Sequence, residues 1–336
     1  MPSTKSLIKL ATALASVTGA SARPASGNGT HYGPGTNNGI EAVAYSLSET
    51  YDSTNFFDQF TFFTGTDPTN GDVDYVAQDV ASSGGLAEYQ NSQVYLGVDY
   101  TTNNPSGGRE SVRLSSNTAF TQGLFIADIA HMPGSICGVW PAFWTFGPNW
   151  PASGEIDIIE GVNAGTTDQV TLHTSSGCSV SIDGSSSEAT LANSDCNYQN
   201  ANTGCGVTTT DTTNYGNGFN SNGGGVYAMQ WASDGIYVWF YAHGNVPSDM
   251  LSDSPDTTTW GTPMVSLRSN TCDFGSHFAN HNIIFDTTFC GDWAGDVWGS
   301  DATCSPLADT CNDYVNGNPS AFQEAYWLIN SVKVFQ

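Results

Sequence analysis

Positive charge is what this 336-residue sequence has least of: 7 Lys and Arg stand against 32 Asp and Glu, a formal net charge of -25. A surface of that sign repels phosphate backbones and anionic lipid, which excludes nucleic acid and charged membranes as partners. Charge of either sign is scarce, at 12% of residues, against about 25% in an average globular domain. With 39% hydrophobic and 12% aromatic residues, however, the composition is not that of a disordered chain. Cys-x-x-Cys pairs are absent, which removes the usual zinc spacing. The motifs G-x-S-x-G, G-x-x-x-x-G-K-[ST] and G-x-G-x-x-G are also missing, so the signatures of α/β-hydrolases, P-loop enzymes and dinucleotide-binding folds are lacking. No stretch carries a long amphipathic helical period. Past the N-terminus, no apolar run approaches the roughly 20 residues that span a bilayer.

What is present suggests an exported β-protein. Lys5 and Lys9, the apolar stretch Leu10 to Gly19 and the small-residue site Ala20-Ser21-Ala22 predict a secretory signal over residues 1–22. Residues 23–39, rich in Gly, Ser, Pro and Asn, read as a flexible lead-in, and residues 40–336 as a single folded domain. The terminus Ala325 to Gln336 lacks the spacer and hydrophobic tail of a lipid-anchor signal. The expectation is a secreted, extracellular protein that is not membrane-bound, with the monomer as default state. Asn28-Gly29-Thr30 is an N-glycosylation triplet. Eight cysteines, an even set, predict up to four disulfides. Sequence alone does not choose among the pairings, although Cys196 with Cys205 and Cys304 with Cys311 are near enough to close short loops.

Alternating or β-rich runs fall at Gln93 to Tyr100, Ser111 to Ser115, Gly123 to His131, Glu155 to Val162, Gln169 to Ser175, Val226 to Trp231, Ile236 to His243, His281 to Phe289 and Trp327 to Phe335. Ala232-Ser233-Asp234-Gly235 between two of them suits a hairpin turn. The fold expected is all-β, an antiparallel β-sandwich of jelly-roll type.

The chemistry is concentrated in Gly154-Glu155-Ile156-Asp157-Ile158-Ile159-Glu160-Gly161, three acids among isoleucines that mark a strand. Glutamate is rare in this chain, so an E-x-D-x-x-E spacing arises by chance in about one such sequence per hundred. Side chains alternate along a strand, which puts Glu155 and Asp157 on one face and Glu160 on the other. A β-bulge within Ile158-Ile159 would return Glu160 to the face of the other two, and bulges are frequent beside active sites. Three carboxylates would then line one groove, near the roughly 5 to 5.5 Å separation that a retaining glycosidase needs. In such an enzyme one carboxylate attacks while its partner holds a proton, and like charges at close range separate the two pKa values. Asp157, lying between them, would hold the nucleophile in place. An acidic edge strand or a calcium site is the alternative reading of the same residues.

Upstream, Gly138 to Pro151 packs three tryptophans into eleven residues. Sugar rings present apolar faces that stack on indoles, so Trp150, nearest the acids, is a candidate substrate contact, as Trp144 and Trp140 are to a lesser degree; a place in the core explains a tryptophan equally well. Arg113 offers several donors to sugar hydroxyls, or a salt bridge. His173 lies on the run after the acid strand, where a neighbouring strand would aim it into the groove, although a lone strand histidine is more often structural.

These residues resemble glycoside hydrolase family 16, in particular its fungal laminarinase-like endo-β-glucanases. The resemblance runs from Asn55-Phe56-Phe57-Asp58 through Gly123 to Ile129, Gly138 to Trp150 and the acid strand, to Asp286-Thr287-Thr288-Phe289-Cys290-Gly291-Asp292-Trp293 and Trp327 to Val334. It implies a concanavalin-like jelly roll whose concave sheet forms the cleft, with Glu155 as nucleophile, Asp157 as its helper and Glu160 as acid/base. It also places Arg113, Trp150 and His173 at donor-side subsites. The six-residue spacing resembles the laminarinase branch rather than the five-residue E-x-D-x-E branch, which implies β-1,3-glucan, with mixed β-1,3-1,4-glucan second. A secreted, retaining endo-β-1,3(4)-glucanase is therefore expected, with a β-glucan transglycosylase or a glucan-binding lectin as alternatives. No cofactor is required for two-carboxylate chemistry. The loop aspartates leave a structural calcium ion open but give it no place.

Overall fold

The β-branched and aromatic runs pair into two large antiparallel sheets, of nine and eight strands. The computed structural model describes residues 43–199 and 203–336; the expected signal segment, the lead-in and Asn28 lie outside the described residues. In the first sheet Val265–Ser269, Gly235–Ala242, Gly225–Trp231, Gly123–His131 and Trp327–Phe335 lie side by side. In the second the order is Cys205–Thr208, Gln169–His173, Glu155–Glu160, Val139–Phe146, Asn282–Phe289, Arg113–Ser116 and Phe60–Phe62, with Thr190–Leu191 at the outer edge. Separate from both, Val73–Tyr75 pairs in parallel with Arg109–Ser111. The result is an all-β jelly-roll sandwich, as the alternation predicted.

One face of each sheet supplies the core. Phe125, Ala127 and Ile129 from one sheet join Phe143, Ile156, Leu172, Ile283 and Phe285 from the other in a single buried cluster, each large side chain contributing about 1.5–3 kcal/mol on burial. A smaller cluster around Val139, Phe289, Trp298 and Phe322 caps one end. Two disulfides, Cys137–Cys304 and Cys290–Cys311, lie inside it. The others join Cys178 to Cys272 and Cys196 to Cys205. Sequence proximity thus held for Cys196 with Cys205 and failed for Cys304 with Cys311. The latter two reach across the capping cluster to Cys137 and Cys290, which flank the same end of two neighbouring strands, just before Val139 and just after Phe289.

Gly123–His131 and Trp327–Phe335 are strands over the predicted residues. The hairpin forms in register, Trp231 opposite Ile236. Gly235 opens its second strand where a Cβ would sit 2.7 Å from the Leu267 carbonyl oxygen, so only glycine fits. The expected run Ser111 to Ser115 is divided at Val112 between the parallel pair and the large sheet. Val139–Phe146 is a strand that the alternating pattern did not reveal, because Pro141 interrupts it. That proline is tolerated because pairing with the acid strand stops one residue earlier, at Ala142 opposite Glu160, so no ladder bond is lost on that side. Among the described residues, no helix is long and apolar enough to cross a membrane.

Candidate active site

Three isoleucines pull the acid strand into the sheet: Ile156, Ile158 and Ile159 are fully buried. Entry to the strand is set by Gly154 at φ +77°, where a Cβ would meet Phe278 at 2.4 Å. Asp157 lies opposite Trp144 and Ile159 opposite Phe143, which leaves Ile158 as the extra residue of a bulge. Glu160 then falls opposite Ala142, Ala142 opposite Asp286, and Asp286 opposite Arg113. Residues in direct register share a face, so Glu160, Asp286 and Arg113 point the same way. Glu155 and Asp157 share that face through Phe146 and Trp144, and on the other side they face His173 and Thr171.

Of the seven predicted side chains, Glu155, Asp157, Glu160, Arg113, Trp144 and His173 therefore lie on one surface of the eight-stranded sheet, the one turned away from the core. Trp150 stands at its border, on the turn before the acid strand, 40% exposed and tilted against Tyr198 at 4.4 Å. His173 brings Nε2 to 3.8 Å from Glu155 and 3.5 Å from Asp157. Arg113 is buried under aromatic rings, with its guanidinium 5.0 Å from Phe63 and 4.8 Å from Trp144, and 3.9 Å from the Asp286 carboxylate. Trp144 donates to Asp286 at 3.3 Å. Both indole and guanidinium are thus partly committed within the protein and still line the groove.

Three more side chains belong to this arrangement: Trp140, named above as a stacking candidate, and two acids not predicted, Asp286 and Asp168. Trp140 donates its indole N–H to Glu160 at 2.8 Å. Asp286, buried between Arg113, Trp144 and the Tyr75 hydroxyl, is a fourth acid of the same surface. It carried the same signal as the acid strand, a carboxylate in a β-branched run. Asp168 lies behind the strand, fully buried, and accepts the main-chain N–H of Glu160 at 3.0 Å.

Burial dominates the electrostatics. It pushes Glu155 up to about 7, opposed by the Arg113 charge and a Trp150 hydrogen bond. Burial pushes Glu160 to about 8, opposed by the Trp140 N–H and reinforced by Glu155, Asp286 and Asp168. Burial raises Asp157 well above the carboxylate range, and Glu155, Glu160, Asp286 and Asp168 push the same way. Burial raises Asp286 to about 6 and Asp168 to about 8, and lowers His173 to about 4, so the imidazole is neutral at neutral pH. Among the described residues, Glu155, Asp157 and His173 are the set close enough to share a metal ion, their ligand atoms lying within 4.8 Å of one another. Calcium takes six to eight oxygens; two carboxylates and a nitrogen suit it poorly.

A model of XgeA-like catalytic GH16 domains matches residues 60–335. The chain belongs to glycoside hydrolase family 16. A probable endo-1,3(4)-beta-glucanase of Aspergillus flavus is 48% identical over 301 residues, 87% of this chain and 44% of that protein. The chain thus spans about half the length of the curated relatives it matches. Two solved structures each superpose with a TM-score of 0.82 and are covered in full. An elongating GH family 16 beta-1,3-glucosyltransferase is 45% identical over 87% of this chain. Laminarinase 16A from Phanerochaete chrysosporium, with 6-O-glucosyl-laminaritriose in its donor and acceptor sites, is 42% identical over 88%.

Proposed function

We propose that the protein is a retaining endo-β-1,3(4)-glucanase, acting on β-1,3-glucan and on mixed β-1,3-1,4-glucan. The observation that carries this reading is the bulge at Ile158, which sets Glu155 and Glu160 on one face on either side of Asp157. Glu155, which ionises first of the two, attacks the anomeric carbon while Glu160 gives its proton to the departing glycosidic oxygen. Glu160, now ionised, takes a proton from water, and that oxygen displaces Glu155 so that the β-configuration is retained. Asp157 lies on the same face two residues on, and His173 Nε2 stands 3.8 Å from Glu155 and 3.5 Å from Asp157, so the two limit where the Glu155 carboxylate can lie. Arg113, Trp144 and Trp150 bind the sugars on the donor side, the indoles by stacking and the guanidinium by hydrogen bonds. No organic cofactor enters this scheme. The four disulfides suit an oxidising, extracellular setting.

A second reading has support in the likeness to an elongating glucosyltransferase: the same acids would pass the glycosyl group to a sugar hydroxyl instead of water. Product analysis by chromatography and NMR tests both, using laminarin, mixed-linkage glucan and cellulose. Hydrolysis yields shorter, β-anomeric oligosaccharides from the first two, lost in Glu155→Gln and Glu160→Gln. Products longer than the starting oligosaccharide would shift the assignment to transfer. Binding without new reducing ends would leave a lectin.

A further inference from the structure

The ladder between the acid strand and Gln169–His173 stops at Asp157 opposite Thr171. Beyond the bulge, Glu160 has no main-chain neighbour on that side, yet its N–H is buried and needs an acceptor. Asp168 supplies it from the connecting turn, Oδ1 to N at 3.0 Å. Asp168 is itself held in place: its own N–H goes to Asn214 Oδ1 at 3.0 Å. Asn214, fully buried, anchors its amide on Thr209 Oγ1 at 2.8 Å, and its carbonyl accepts from the Tyr227 hydroxyl at 2.6 Å. A buried polar chain therefore runs from the opposite sheet, through Asn214 and Asp168, to the main chain of Glu160. Among the described residues the Glu160 side chain has one hydrogen bond, from Trp140, so its aim depends on how its main chain is held. Gly161 follows, packed so closely that a Cβ would lie 2.7 Å from the Tyr215 ring. An aspartate this deeply buried is costly unless it is satisfied, and the groups that favour the Asp168 carboxylate against its burial are the Glu160 main-chain N–H, the Tyr227 hydroxyl and the Gln169 main-chain N–H. Strand pairing alone does not account for such a group at this position.

We infer that Asp168 is a positioning residue for proton transfer: by taking the Glu160 main-chain N–H in place of a strand partner, it fixes the bulged end of the strand and so aims the Glu160 carboxyl at the glycosidic oxygen. This rests on Glu160 being the acid/base.

The test compares kcat/KM on laminarin with kcat/KM on a dinitrophenyl β-laminaribioside, whose leaving group departs without a proton. Asp168→Ala loses about a hundredfold on laminarin and little on the aryl glycoside. Asp168→Asn, which keeps an acceptor oxygen for the N–H, stays within a few-fold of the parent on both. If the alanine variant does not fold, Asp168→Leu replaces it, being of similar size and without an acceptor. An equal loss on both substrates would reduce Asp168 to a structural role. So would an asparagine variant as weak on laminarin as the alanine or leucine one. Glu160→Ala is the control that separates the two ideas. If it too loses both substrates equally, the acid/base assignment is wrong; if it spares the aryl glycoside while the Asp168 variants do not, only the positioning role falls.

Discussion

The guanidinium of Arg113 and the indole N–H of Trp140 each act on one member of the Glu155 and Glu160 pair. Each stabilises a charged form: Arg113 favours the Glu155 carboxylate and Trp140 the Glu160 carboxylate, against the burial that raises both. Both carboxyls titrate above the ordinary carboxylate range, and the charge of Arg113 favours ionisation of Glu155 before Glu160. On the proposed mechanism activity needs the first ionised and the second protonated, so kcat/KM on laminarin should be bell-shaped, rising as Glu155 ionises and falling as Glu160 does. Trp140→Phe removes a group that lowers the Glu160 value, so the alkaline limb moves to higher pH while the acid limb stays. A limb that moved down instead would mean that Trp140 does not hold the acid. Arg113→Met removes the charge that lowers Glu155, and the acid limb moves up, with a raised KM from the lost donor. Initial rates across pH 4–10 decide both.

Within the acid strand the decisive unit is one inserted isoleucine. Deleting Ile158 leaves Glu-Ile-Asp-Ile-Glu, a regular strand in which alternation keeps all three acids on the groove side. Deleting Ile156 instead turns Glu155 into the core, where an unpaired carboxylate meets the opposite sheet. The first deletion should fold and retain measurable hydrolysis; the second should lose at least about a thousandfold, as removal of a catalytic carboxyl does, along with much of its stability. Equal loss in both would show that the bulge itself, rather than the face it selects, sets the geometry. The same physics explains what could be read from the residues alone. Period-two alternation assigns a face to each side chain, so the bulge could be anticipated from one segment, and His173 on the following run could be aimed toward the groove without its partner being known. It does not say which strands are neighbours, so Asp286 on Asn282–Phe289 and Asp168 in the turn behind Glu160 could not be placed beside the acids. Pro141 and the crowded aromatics hid the period of Val139–Phe146, and Trp140 on that strand was weighed for sugar stacking, not for its hydrogen bond to Glu160. The pairing of Cys304 with Cys137 likewise depends on a chain reversal that no local pattern records.

Over the whole molecule, concentrating largely buried acids on one sheet face trades stability against function, and the sign follows from their raised pKa values. Glu155, Asp157, Glu160, Asp168 and Asp286 all hold their protons more tightly folded than unfolded, where carboxyls titrate near about 4. Each contributes stability that is fully present below that value and is lost as pH rises through its folded value, between about 6 and about 8 for those with a defined value. His243, raised by its Asp128 partner, acts in the same direction above about 6.5. Buried His173 and His281, lowered to about 4, have the opposite effect, but only between there and about 6.5. Below about 6.5 the two sets oppose one another; above it nothing offsets the acids, and the net charge of -25 adds repulsion of the same sign. The melting temperature should therefore fall by several degrees between pH 6.5 and 8.5, measured by calorimetry on the full chain. Asp157→Asn, which removes one of these acids where the others crowd it, should raise the melting temperature at pH 8 more than at pH 5 while lowering activity. A melting temperature that stays level or climbs through that range would mean that the groove acids are ionised at little cost in the folded protein, and with them the acid/base pair.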